Sequence, residues 1–407
     1  MKSLMIKASC AMILLVGHAF AAGPGDPSLR DVVRHALDVA RTQSVAMAAS
    51  LQDRPGLLPR TLAKDSALVT CAPDWWTSGF FPGVLWYLYE DTRDTAIASL
   101  ARAFSARVES QKYVTGHHDV GFMIFCSFGN GYRLTHDPSY REVIRTASTS
   151  LSTRFHPTVG AIRSWGPSPS TSKWQYPVII DNMMNLEMLE WSAREFGIPA
   201  FDRIARAHAN TTMRHHFRED LSTFHVVSYD TLTGMPEKKQ THQGYSDGSM
   251  WARGQAWGLY GFTMMFRETG DTAYLRRAEG MADLIIHHPH FPADGIPYWD
   301  YDAPGIPDEL RDASAGAIMC SAFLELSRYA DPQRAAAYRA VAETQLRTLA
   351  SPAYLAAKGS NGNFILRHGV GHLPGGSEVD VPLTYADYYF VEALIRYTTW
   401  SEPTDRR

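Results

Sequence analysis

Hydrophobic positions along the chain fall into two kinds of segment that alternate. From Ser28 onward, Leu29, Val32, Val33, Ala36, Leu37 and Ala40 recur at helical spacing, while Arg30, Arg34, His35, Asp38 and Arg41 take the other face. The first helix is therefore amphipathic and lies on the outside, with Ser28 and Asp31 supplying N-terminal capping chemistry. Five later stretches, 92–109, 138–155, 199–217, 272–288 and 332–349, repeat that character. Several open on a turn signature such as His136-Asp137-Pro138, Gly197-Ile198-Pro199, Gly270-Asp271-Thr272 or Asp331-Pro332. Between them lie 79–90, 120–134, 183–196, 256–269, 315–329 and 388–397, which are apolar on nearly every side, as helices surrounded by protein are. Six amphipathic and six buried helices in strict alternation, with a weak repeat of roughly 60 to 70 residues, predict an all-α fold: an (α/α)6 barrel or toroid of six helical hairpins. Short strands are expected only inside loops, at 223–229 and 363–368.

Three loops, 157–180, 218–250 and 351–383, are long and rich in Gly, Pro, Ser, Asp and His, and each precedes an apolar helix. The apolar helices themselves open on polar or aromatic clusters: Trp75-Trp76-Thr77-Ser78, His117-His118-Asp119, Asp181-Asn182, Trp251-Ala252-Arg253-Gly254-Gln255, Arg311-Asp312-Ala313-Ser314 and Thr384-Tyr385-Ala386-Asp387. Closing the ring brings these six openings to one rim, where the chemistry is expected. No linker divides the chain, so residues 23–407 read as a single domain.

Composition narrows the partners. A chain of 407 residues that is 45% hydrophobic and 20% charged is globular with a large core. A formal net charge of -3 argues against nucleic acid or an anionic membrane as partner, while leaving room for local positive charge facing an acidic ligand. Lys2 and Lys7, an apolar run over 11–16 and Ala19-Phe20-Ala21 have the layout of a cleavable export signal over residues 1–22, which predicts a periplasmic or secreted protein. That run is shorter than the roughly 20 residues a membrane-spanning helix needs, so no membrane partner is expected after cleavage. None of these patterns fixes an oligomeric state. Cys71, Cys126 and Cys320 would remain after Cys10 leaves with the signal; they are odd in number and form no Cys-x-x-Cys pair, and the last two read as small buried hydrophobes.

Asp181 stands between apolar neighbours in Ile179-Ile180-Asp181-Asn182-Met183. Desolvation should raise its pKa and the helix N-terminus should lower it, a balance suited to giving and recovering a proton near neutral pH. Asp119 follows two histidines at the opening of the preceding apolar helix. Taken alone each is more readily an N-cap, but two carboxylates on adjacent inner helices are the usual equipment for cleaving sugars. Arg253 between Trp251 and Trp257 asks for an anionic partner, since a core does not hold a lone guanidinium. Trp257 by itself equally suits core packing. Trp165, Trp174, Trp75 and Trp76 offer flat apolar faces of the kind that stack on sugar rings, and His118, His225 and His242 read as hydrogen-bond donors at the rim. There is no His-Glu-x-x-His, no Gly-rich phosphate loop and no Gly-x-Ser-x-Gly elbow, so neither a metal nor a cofactor is expected.

The blocks at 76–83 (WTSGFFPG), 117–123 (HHDVGFM), 179–186 (IIDNMMNL), 249–257 (SMWARGQAW) and 378–389 (EVDVPLTYADYY) resemble the unsaturated glucuronyl hydrolases, glycoside hydrolase family 88, in order and over nearly the whole chain after residue 22. The resemblance implies an (α/α)6 barrel that acts on lyase-generated oligosaccharides bearing a 4,5-unsaturated uronic acid at the non-reducing end. It implies removal of that sugar by hydration of the double bond, with Asp181 as acid and base and Asp119 binding ring hydroxyls and stabilising the cation. It also implies substrate contacts from Trp76, His118, Trp165, His225, Gln243, Trp251, Arg253 and Trp257. Pro382-Leu383-Thr384 and Ala386 depart from the family pattern, where Ser and Gly are commoner. Alternatives are an unsaturated rhamnogalacturonyl hydrolase of family 105, a hydrolase acting at the anomeric carbon, and a periplasmic glycan-binding protein without turnover.

Overall fold

The computed structural model describes residues 27–401, so the export signal read over residues 1–22 lies outside the described part. Among the described residues twelve α-helices form the body: α1 (Leu29–Ser50), α2 (Phe80–Thr92), α3 (Thr95–Val108), α4 (Asn130–Thr135), α5 (Pro138–Ser152), α6 (Leu186–Phe196), α7 (Pro199–His215), α8 (Ala252–Thr269), α9 (Thr272–His287), α10 (Ala313–Leu326), α11 (Pro332–Leu349) and α12 (Thr384–Ser401). Two of the inner helices begin irregularly. A π-helical stretch, Gly121–Gly129, runs into α4, and a 3-10 stretch, Ile180–Asn185, runs into α6.

The inner helices α2, α4 with its π-helical lead, α6 with its 3-10 lead, α8, α10 and α12 each pack on the next, and α12 packs back on α2 to close the ring. Outside, α3, α5, α7, α9 and α11 each cover the inner helix before them, and α1 covers α12, so the first and last helices complete the sixth hairpin. This is the (α/α)6 barrel.

Local chemistry sets the hairpins. Each short inner-to-outer turn after α2, α4, α6 and α8 passes through one left-handed residue, Arg93, His136, Gly197 or Gly270. Asp94, Asp137, Asp271 and Asp331 then cap the outer helices by accepting from the N–H two residues on, at 2.8–3.0 Å. Pro enters the first turn of α5, α7 and α11, where its missing N–H costs nothing. With the tight turns at one end, the long loops gather at the other.

Those loops carry short antiparallel strands. β1 (Leu58–Leu62) pairs with β2 (Leu68–Cys71), β3 (Phe155–His156) with β4 (Ala161–Ile162), and β8 (Gly369–His372) with β9 (Ser377–Val381). β5 (Pro177–Ile179), β6 (Val226–Tyr229) and β7 (Pro236–Gln240) form a three-stranded sheet in that order. The strand expected at 223–229 is thus β6, but the segment at 363–368 holds only an isolated bridge from Leu366 to Leu355, with the hairpin lying further on at β8–β9. Pairing partners, rather than local β propensity, decide where a short loop strand forms.

Cys71 and Cys320 are buried and Cys126 half-buried, all as free thiols. Among the described residues no helix is long and apolar enough to cross a membrane.

Candidate active site

The six helix openings do meet at one rim. Starting at the turn before α2, the Trp76 ring lies 5.0 Å from Tyr385 at the start of α12, and Tyr385 lies 5.4 Å from the Arg253 guanidinium in the first turn of α8. Arg253 donates to Asp312, the N-cap of α10, at 3.1 Å, and its field reaches Asp181. Asp181 in turn feels Asp119, which closes the circuit.

Asp181 is delivered by a strand. β5 pairs through Ile179 to Val226, and the Ile180 N–H donates to the His225 carbonyl at 3.1 Å, so the chain is pinned immediately before it turns into the 3-10 stretch. The cap position there belongs to Ile179, with Asp181 inside the first turn, so Asp181 is not the N-cap. Asp181 is 9% exposed. Burial pushes its carboxyl up to about 7, against the downward pull of Arg253 and of its own backbone, with Asp119 adding a smaller upward push. The downward pull expected from a helix N-terminus comes instead mainly from a guanidinium.

Asp119 is not a cap either. Its two oxygens face His117 Nδ1 at 3.1 Å and His118 Nε2 at 3.2 Å. Burial opposes its charge, but the two imidazoles outweigh burial and hold the carboxyl below the ordinary carboxylate range. His118 is fully buried, and desolvation lowers its pKa against the upward pull of the Asp119 carboxylate. The π-helical stretch after Asp119 is docked on the 3-10 stretch after Asp181 through Asn185, whose Oδ1 accepts from Phe122 N–H at 3.2 Å. Two neighbouring carboxyls therefore differ in proton affinity, Asp181 exchanging its proton near neutral pH while Asp119 is ionised, the arrangement that separates an acid from a charge-stabilising partner.

His225 sits just ahead of β6. Its Nδ1 accepts from the backbone N–H groups of His242 and Gln243 at 3.1 and 3.2 Å, its ring stacks on Trp251 at 4.4 Å, and its Nε2 lies 4.0 Å from Asp181 Oδ2. Gln243 Nε2 donates to the Gly371 carbonyl at 2.9 Å. Trp165, bridged to His117, packs against Trp174 and His242 at 5.5 and 5.4 Å. An open cleft of about 400 Å³ beside these groups is lined by Trp76, Trp165, Gln243, His372, Glu378 and Tyr385, among others. Neither Asp119 nor Asp181 is among the residues that line this cleft or the larger grooves along α1 on the outer face.

Two residues implied as substrate contacts are built into the protein interior, in line with the core reading of Trp257 and the anionic partner asked for by Arg253. Arg253 is 1% exposed and its anion is internal: it binds Asp312 and the carbonyls of Val370 and Gly371, so it organises the cleft floor rather than standing free. Trp257 is wholly buried, packed on Phe122 and Tyr389 at 5.3 and 5.4 Å, with its indole N–H unpartnered in the protein. Asp312, Tyr385 and His372 were not singled out as functional from the sequence. Asp312 and Tyr385 belong to helix-opening clusters, a signal that could have found them; His372, in the β8–β9 hairpin, has no such pattern. Among the described residues no three or more His, Cys, Asp or Glu side chains group as ligands for a metal.

A rim with one carboxyl that exchanges its proton near neutral pH and one that is ionised, walled by indoles and tyrosine, is equipped for acid–base chemistry on a ring-shaped polar substrate. No protein-family model matches the chain. It is 45% identical over 342 residues to an unsaturated glucuronyl hydrolase of Formosa agariphila, covering 83% of this chain and 84% of that one. It also superposes on the crystal structure of an unsaturated glucuronyl hydrolase specific for heparin, with TM-score 0.88, 45% identity, and 91% and 98% of the two chains covered. A second crystal structure, of the Bacillus sp. GL1 unsaturated glucuronyl hydrolase responsible for glycosaminoglycan degradation, gives TM-score 0.82 at 31% identity over 91% and 96%. The chain belongs to the unsaturated glucuronyl hydrolases, glycoside hydrolase family 88.

Proposed function

We propose that this hydrolase releases the 4,5-unsaturated uronic acid from the non-reducing end of lyase-generated acidic oligosaccharides of the glycosaminoglycan type, and that Asp181 and Asp119 carry the reaction. The observation that bears most weight is the pairing of an Asp181 carboxyl held at about 7 with an Asp119 carboxyl held low beside it.

Protonated Asp181 gives its proton to C4 of the vinyl ether, and positive charge develops at C5 and the ring oxygen. Ionised Asp119 stabilises that charge and holds ring hydroxyls. Water then bonds to C5 and passes a proton to the Asp181 carboxylate, restoring the acid. The hemiketal at C5 opens to a ketone with the ring oxygen left on C1, and C1 collapses to an aldehyde as the glycosidic oxygen departs with the rest of the chain. No covalent sugar–enzyme bond forms and no step calls for a cofactor. Trp76, Trp165 and Trp251 supply apolar faces for the sugars, His118, Gln243 and Arg253 order the surrounding hydrogen bonds, and Trp257 backs the pocket. Lys2, Lys7 and the apolar run at 11–16 support export to the periplasm or beyond.

The test is loss of the double-bond ultraviolet absorbance from unsaturated heparin, chondroitin and hyaluronan disaccharides, with the saturated analogues as controls. Bleaching of the unsaturated set, no cleavage of the saturated set and loss of the bleaching in Asp181→Asn are expected. Cleavage of saturated analogues would overturn hydration in favour of attack at the anomeric carbon.

A further inference from the structure

His225 is held more firmly than a side chain that only touches sugar requires. Its carbonyl accepts from Ile180 N–H, its ring lies on Trp251 with 32° between planes, and it is 3% exposed. Two backbone N–H groups converge on Nδ1, and an imidazole nitrogen that accepts twice carries no proton. The proton is therefore on Nε2, and Nε2–H is the end that faces Asp181 Oδ2.

Nε2 and Oδ2 are both buried, neither has a hydrogen-bond partner within the protein, and they are 4.0 Å apart. That distance is too long for a direct bond. An oxygen placed at about 2.8 Å from each, the usual hydrogen-bond length, would subtend roughly a right angle, an acceptable geometry for water.

We propose that His225 is a catalytic residue: its Nε2–H and Asp181 Oδ2 together hold the water that attacks C5. This rests on the hydration chemistry above. Once Asp181 has given its proton to C4, its carboxylate accepts one O–H of that water, while Nε2–H donates to one of the two water lone pairs. The second lone pair is left to form the bond to C5, and the shared proton moves to Asp181 as that bond forms. Neutrality of the ring matters as well. Burial, with a smaller push from nearby imidazoles and Arg253, holds the His225 pKa well below the ordinary imidazole value, so it donates without adding a positive charge that would strip Asp181 of its proton before the first step.

His225→Leu and His225→Gln separate this role from simple binding. With an unsaturated disaccharide substrate, His225→Leu should lower kcat about 100-fold, the usual loss for one aimed donor in an active site, while KM changes less than about threefold. His225→Gln, which restores an N–H, should recover at least about tenfold of the lost kcat. Thermal melting of both variants checks folding, and if the Leu variant melts early, the Gln variant is compared with His225→Asn, whose shorter amide should not reach. A crystal structure of Asp181→Asn should show an oxygen within about 3.2 Å of both residues. A normal kcat with a raised KM in His225→Leu would overturn the water assignment and leave the hydration reading standing. No bleaching by the unmodified enzyme would overturn the hydration reading itself.

Discussion

Arg253 and Asp312 form an ion pair at 3.1 Å with both side chains almost wholly withdrawn from solvent. The pair ties the first turn of α8 to the N-cap of α10. Through the carbonyls of Val370 and Gly371 it also fixes strand β8 at the floor of the cleft. Asp312 additionally accepts from the N–H groups of Ser314 and Val370.

Removing Asp312 leaves a buried guanidinium without its anion. Asp312→Ala should therefore destabilise the fold by about 3–5 kcal/mol, measured by denaturant unfolding. Asp312→Asn keeps the shape but leaves the charge of Arg253 less neutralised. Since that charge lowers the pKa of Asp181, the alkaline limb of the kcat/KM profile should move to lower pH; an unmoved limb would refute the link.

The acid form of Asp181 is the one that donates to C4. Its carboxyl is raised to about 7, so kcat/KM should be highest below pH 7 and fall about tenfold per unit above it. Asp119, held low, must stay ionised, so the acidic limb should appear below the usual carboxylate range. Asp181→Asn should lose about 10²- to 10⁴-fold in kcat and with it the alkaline limb.

Gly121 opens the π-helical stretch where it meets the 3-10 stretch. A Cβ there would stand 2.6 Å from Asn185 Oδ1 and 2.8 Å from Asn185 Cα. Gly121→Ala should push the two stretches apart, costing about 1–3 kcal/mol of stability and lowering kcat by moving Asp119 away from Asp181. A variant with unchanged melting temperature and unchanged kcat would show that this contact does not set their spacing.

Glu190 on α6 is 2% exposed, and its Oε1 has no partner within the protein. Burial, with Asp202 nearby, raises its carboxyl to about 8. Between the unfolded carboxylate range and pH 8 the native state thus holds a proton that the unfolded chain has lost, so this contribution to stability declines as pH rises through that window. Glu190→Gln removes the titration. Its melting temperature should drop less than that of the unmodified protein between pH 5.5 and 8.5, as followed by circular dichroism.

The alternation of amphipathic and apolar segments, the Asp and Pro signals at the outer helices and the turn residues between hairpins act within a few positions of one another. They were therefore legible in the chain, and with them the (α/α)6 barrel. The polar openings of the inner helices pointed to the rim, and the apolar setting of Asp181 pointed to a raised pKa, because desolvation by immediate neighbours is already written in the sequence. What stayed hidden spans larger separations. Arg253 meets Asp312 59 residues away and Gly371 118 residues away, and the protonated nitrogen of His225 is chosen by the backbone of a loop 17 and 18 residues on. The π-helical opening before α4 and the strand that presents Asp181 depend likewise on what the closed ring packs against them. Periodicity and capping report the free energy of one segment; the partner of a buried charge, the tautomer of an imidazole and the register of a loop strand are set only when distant segments share the same space.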